Sequence, residues 1–205
     1  MNEDLLERQP LPLLIVISGP SGVGKDTVVH RMRERQLPFC FVVTATSRPR
    51  RGDETDGVDY VFVTQEEFEG MIARGELIEH AVVYNQNKGI PRRHVAEALA
   101  TGQDAVLRID VQGAETVRRL WPEALLIFLT TRNEEELARR LRKRSSDSSD
   151  DVALRLAAAR REVEKLGLFD YLVVNADGEL DRAVDTIEAI ICAEHHRTKP
   201  RRVTL

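Results

Sequence analysis

Several residue types that mark common functions are scarce in this chain. Only two cysteines, Cys40 and Cys192, occur in 205 residues. Both lie in apolar surroundings and lack metal-ligand spacing, which argues against a zinc site and a disulfide scaffold; two buried, reduced thiols are expected. Net positive charge is missing as well. Thirty Lys and Arg against 34 Asp and Glu leave −4, the wrong sign for a general nucleic-acid binder with a basic face. No apolar run approaches the ~20 residues of a membrane-spanning helix. No internal repeat is visible. The opening MNEDLLERQPLP is acidic and short of apolar residues, unlike a signal peptide or an Arg-rich transit peptide. A cytoplasmic location, with no nucleic-acid, membrane or obligate protein partner, is the expectation.

What is present suits one compact domain that buries its own core, with 42% hydrophobic and 31% charged residues. LLIVIS (13–18) is a short continuous apolar run, as for a strand buried on both faces. Further strands are expected at 40–43, 58–63, 77–84, 104–110, 124–130 and 171–175. Helical segments fall between them at 25–35, 64–76, 91–102, 111–120, 133–144, 152–167 and 179–196. Thr64 followed by Glu67 is a capping box, and Asn133 is an N-cap candidate. This alternation predicts an α/β fold with a central parallel sheet and helices on both faces. Residues 44–90 break the rhythm with extra β segments and a short helix, the mark of an inserted subdomain. The polar stretch 144–155, containing SSDSSDD, predicts a mobile lid between two helices. The basic tail RTKPRRVTL is expected to fray in solvent.

Residues 18–29 read SGPSGVGKDTVV. Gly19, Gly22 and Gly24 allow a tight turn whose N–H groups point inward at phosphate, and the following helix adds its positive end. Lys25 supplies a point charge for the β- and γ-phosphates. The pattern G-x-x-x-x-G-K-[ST] fails at Asp26, with Thr27 one residue late. A glycine-rich turn that binds nothing is the bland alternative, which the agreement of loop, lysine and flanking elements disfavours.

Beyond the loop, TATSRPRRGDETDGVDYVFV (44–63), IEHAVVY (78–84), LRIDVQG (107–113), the arginines flanking the lid and DYLVVN (170–175) resemble, in order, the guanylate kinases. The likeness spans roughly 13–195. It implies a P-loop NTPase three-layer fold over 11–200, with core segments 13–43 and 91–196, a GMP-binding subdomain near 44–90 and a lid near 144–155. It implies that ATP and Mg²⁺ bind at Gly19, Pro20, Ser21, Gly22, Val23, Gly24, Lys25, Asp26 and Thr27, with Asn175 beside the adenine. Lys25, Arg144 and Arg155 become the catalytic set, the two arginines acting as fingers in cis, with Arg140 a possible companion. GMP would meet Arg48, Arg51 and Tyr60 at its phosphate, Glu79 and Thr44 at its base, and Asp110 beside its nucleoside. Paired guanidinia match a phosphate dianion, and a carboxylate can accept from guanine N1–H and its 2-amino group together.

Departures from the family pattern are visible. Lys88 stands where a tyrosine would touch the phosphate, Ile90 where a hydroxyl would touch the base, and Arg108 where some relatives are acidic. The Lys-Gly-Ile-Pro and Leu-Arg-Ile-Asp pairing resembles a cyanobacterial and plastid-like branch. Asp26, in the first helical turn, is expected either to meet a magnesium-bound water or to point to solvent, with Thr27 on the α-phosphate. The implied reaction is phosphorylation of GMP to GDP by ATP. A kinase for another nucleoside monophosphate and a non-catalytic guanylate-kinase-like binding module are the alternatives.

Overall fold

The computed structural model describes residues 11–50, 52, 54–83, 86–144 and 149–203. In chain order, the first half contains β1 (Leu14–Ser18), α1 (Lys25–Glu34), β2 (Phe39–Val42), β3 (Ala45–Thr46), β4 (Val61–Phe62), α2 (Gln65–Ala73), β5 (Leu77–Val83) and β6 (Gln86–Pro91). The second contains α3 (Arg92–Ala100), β7 (Asp104–Arg108), α4 (Val111–Leu120), β8 (Leu125–Thr130), α5 (Glu134–Arg144), α6 (Ser149–Glu164), β9 (Tyr171–Val174) and α7 (Leu180–His195). A 3-10 turn over Lys165–Leu168 joins α6 to β9.

The main sheet runs β2-β7-β1-β8-β9, and each pairing in it is parallel. Strands covered on both faces must be apolar at every position, which explains the unbroken LIVIS of β1. Successive side chains of β1 divide between two cores. Ile15 and Ile17 join α1, α5, α6 and α7 on one face, through residues such as Met32, Leu141 and Ile187. Leu14 and Val16 join α3 and α4 on the other, through Val95 and Val117. The two faces together make the three layers.

A second sheet, β4-β3-β6-β5, closes over a small core of Ala45, Phe68 and Leu77 beneath α2. The Thr64 capping box forms at the start of α2, with both reciprocal bonds present. Likewise Asn133 Oδ1 accepts from Glu136 N at 2.9 Å before α5.

The local pattern misled in places. Only Val61 and Phe62 of the alternating 58–63 run are strand, because Gly57–Tyr60 is drawn into a turn in which Asp59 N donates to Thr55 O at 2.9 Å. QNKGIP carries no strand signal of its own, yet pairing with β3 and β5 makes it β6. Helix α6 begins at Ser149, so 149–151 of the expected polar loop is helical; 145–148 lies outside the described residues. The cysteines are not buried: Cys40 is intermediate and Cys192 exposed.

Nor do residues 197–203 of the expected tail fray. Arg201 is 8% exposed, and its Nε donates to Glu194 Oε2 at 2.6 Å. Glu194, 3% exposed on α7, also accepts from the Tyr171 hydroxyl at 2.7 Å. A buried carboxylate needs such partners, and the basic tail supplies two, Arg197 and Arg201.

Candidate phosphoryl-transfer site

β1 delivers the chain into the glycine loop at the edge of both cores. Gly19 has φ 137, and a Cβ there would stand 2.1 Å from Leu129 O, so no other residue fits. Gly24, at φ 93, opens α1 and lies against the Asn175 side chain. Val23 O accepts from Asn175 Nδ2 at 2.9 Å and from Arg140 Nη1 at 3.1 Å. The loop is thus held from the end of β9 and from α5. Lys25 Nζ folds back onto Gly19 O (2.5 Å) and Pro20 O (3.0 Å). Burial lowers its pKa to about 8, against the raising influence of Asp26 and Glu162. Ser21 and Gly22 are half-buried and Thr27 is exposed at the first turn of α1. A cleft of about 400 Å³ opens between Gly24, Thr27, Arg140 and Asn175.

Arg48 and Tyr60, expected at the acceptor phosphate, lie in the connection between β3 and β4. Arg48 is 7% exposed and forks onto Glu54, with Nη1 to Oε2 at 2.7 Å and Nη2 to Oε1. Its guanidinium carbon lies 4.9 Å from the Tyr60 ring centre, a cation–π contact. Arg51 lies outside the described residues. Glu79, on β5, has its pKa raised to about 7, first by desolvation and then by Asp110. Gly113 lies close by: a Cβ there would be 3.4 Å from Glu79 Oε2, an ordinary contact, and 3.2 Å from Ile109. Asp110 Oδ1 caps α4 by accepting from Gly113 N at 3.0 Å. Thr44 is 6% exposed. Lys88, on β6, lies close enough to lower the Lys25 pKa. Ile90, 1% exposed, packs into the α3–α4 core.

Arg108 joins the two halves. It donates to Asp26 Oδ1 at 2.7 Å and to Asp59 O at 2.9 Å, with its guanidinium 4.7 Å from the Tyr60 ring centre. Asp26 therefore does not simply point to solvent. Arg144 closes α5, with its side chain outside the described atoms, and Arg155 is half-buried on α6. Glu162 carried no signal in the sequence. It lies two helical turns after Arg155, and burial raises its pKa against the pull of Lys25. Among the described residues, Glu162 Oε2 and Ser18 Oγ are the buried side-chain atoms lacking a hydrogen-bond partner. Glu162 lies near Lys25, and Ser18 immediately precedes Gly19.

A glycine loop with a buried lysine, tied through Arg108 to the turn that carries Tyr60 beside the buried Arg48, suits the handling of phosphorylated molecules. That places the molecule among the P-loop nucleoside-phosphate kinases, a class of phosphotransferases. The family model described as guanylate kinase matches residues 12–194. Guanylate kinase 2, chloroplastic/mitochondrial, of Oryza sativa subsp. japonica is 49% identical over 96% of this chain and 69% of that protein. The guanylate kinase of Gloeobacter violaceus is 44% identical over 90% of this chain and 89% of its own. The crystal structure of guanylate kinase from Anaplasma phagocytophilum superposes with a TM-score of 0.76 at 31% identity, covering 93% of this chain and 89% of that one. The chain belongs to the guanylate kinase family. Among the described residues, no helix is long and apolar enough to cross a membrane.

Proposed function

We propose that this protein transfers the γ-phosphoryl group of ATP to the phosphate of GMP, giving ADP and GDP. The observation that carries the reading is the half-buried, desolvated carboxylate of Glu79 on β5 beside Asp110, in a protein that also buries the Arg48 guanidinium against Tyr60. A guanine edge offers two donors to such a carboxylate and an adenine edge offers neither; a purine monophosphate would reach the arginine with its other end.

In this reading Lys25 leaves the carbonyls of Gly19 and Pro20 to meet the β- and γ-phosphates, which restore its full charge. The loop from Gly19 to Thr27 cradles ATP, with Asn175 beside the adenine. Arg48, Arg51, Tyr60 and Lys88 hold the acceptor phosphate, and Thr44 and Asp110 flank the nucleoside. Arg144 and Arg155, with Arg140, neutralise the group in flight as α6 closes over it. No group of three or more metal-ligating side chains exists among the described residues, so Mg²⁺ would arrive with ATP. Thr27 and Asp26 would supply oxygens to the ion or its waters, and the ion would offset phosphate charge. The compact domain is taken as 11–200, with acceptor subdomain 44–90 and lid 144–155, in the cytoplasm.

The test is ADP formation from ATP and Mg²⁺ with GMP, AMP, UMP and dTMP offered separately. GMP should exceed AMP by about 10⁴ in kcat/KM. A preference for another monophosphate overturns the guanine site. No turnover in a folded protein overturns the kinase.

A further inference from the structure

The contact between Asp26 and Arg108 joins residues 82 apart in the chain, and Asp26 stands where the phosphate-loop pattern expects Ser or Thr. Arg108 ends β7, below the phosphate loop, and is 14% exposed at its side chain. One nitrogen reaches Asp26, the other reaches the Asp59 carbonyl, and its plane lies by Tyr60. Helix α1 touches the same turn a second time. Arg33 Nη2 donates to Val58 O at 3.1 Å, and Arg33 follows Asp26 by two helical turns, on one face. The turn 55–60 carries Tyr60.

We propose that Asp26 and Arg108 form a positioning clamp that sets the 55–60 turn, and with it Tyr60, against the phosphate loop. The clamp fixes the gap between that loop and Tyr60; its effect on GMP rests on the reading above. Asp26 is the anchor. Its carboxylate holds the guanidinium in the orientation that also serves Asp59 O, a geometry a planar fork can satisfy and a point charge cannot. Arg108 in turn cancels a negative charge that would otherwise face the donor phosphates. Arg108 is a positioning residue that acts through Tyr60.

Two measurements test the clamp. The first needs no substrate: hydrogen exchange at the amides of Gly57, Val58 and Asp59 in the free protein, all bonded within the turn. Arg108→Ala should speed their exchange about five- to tenfold while the amides of β1 and β8 stay unchanged. Equal exchange in wild type and variant overturns the clamp. The second is steady-state kinetics of Arg108→Ala, Asp26→Ala and the double variant. KM for GMP should rise about fivefold in each single variant, and the double variant should be no worse than about twofold beyond Arg108→Ala. KM for ATP should move less than twofold in Arg108→Ala, and Arg108→Lys, a point charge that cannot serve Asp26 and Asp59 O together, should not restore KM for GMP. Additive effects, or a loss confined to ATP, refute the coupling. If wild type does not phosphorylate GMP, the functional reading falls, and hydrogen exchange alone decides the clamp.

Discussion

The raised pKa of Glu79 makes guanine recognition depend on pH in a way that can be worked out beforehand. In the free protein the carboxyl titrates at about 7 because desolvation, and then the nearby Asp110, disfavour its charge. The two donors of guanine need the ionised form. At pH 6 about one-tenth of the free protein carries it, and at pH 8 about nine-tenths. Since kcat/KM reports the free enzyme, its value for GMP should rise about tenfold over that interval through Glu79 alone. The GMP phosphate, with a second pKa near ~6, adds a smaller slope of its own. Glu79→Gln separates the two. It should lower kcat/KM for GMP by about 10²–10³ at pH 8, where two charge-assisted bonds are lost, and keep only the phosphate slope. The same group affects folding. Its native pKa lies above the unfolded 4.5, so the native state binds the proton more tightly and stability falls as pH rises from about 4.5 to about 7. The full rise corresponds to about 3 kcal/mol, and about 2 kcal/mol after discounting solvent screening. Glu79→Gln should therefore be about 2 kcal/mol more stable than wild type at pH 8 in urea unfolding, and indistinguishable at pH 4. Identical pH profiles for the two proteins, in activity and in stability, would refute the reasoning.

Two further outcomes check other parts of the structure. Gly19→Ala should cost ~3 kcal/mol or more in thermal unfolding and abolish ATP binding, because the new Cβ meets Leu129 O at 2.1 Å at φ 137. Gly57→Ala, at φ 74 with open space around it, should cost only ~1 kcal/mol; equal costs would show that the Leu129 contact does not limit the loop. Arg201→Ala should lower stability by ~2 kcal/mol, leaving Glu194 with Tyr171 and Arg197 as remaining partners, whereas a change below ~0.5 kcal/mol would return the tail to solvent.

Much of this molecule is legible along the chain because burial imposes periods. β1 is covered on both faces and reads as an unbroken apolar run; α2 is opened by a capping box that needs only residues three apart. The glycine loop is equally local, since strand, turn and helix N-terminus follow one another from 14 to 34. The order of motifs then supplied the family. Contacts made across the fold left no such trace. The strand β6 exists through its neighbours, Glu162 meets Lys25 only because α6 packs by the loop, and the tail is ordered by a carboxylate on α7. Asp26 shows the division most clearly. Its position in the first turn of α1 was set by the local sequence, but its partner, Arg108, is 82 residues away. Backbone pattern is encoded by near neighbours; the pairing of charges is settled only when the sheet brings β7 beside β1.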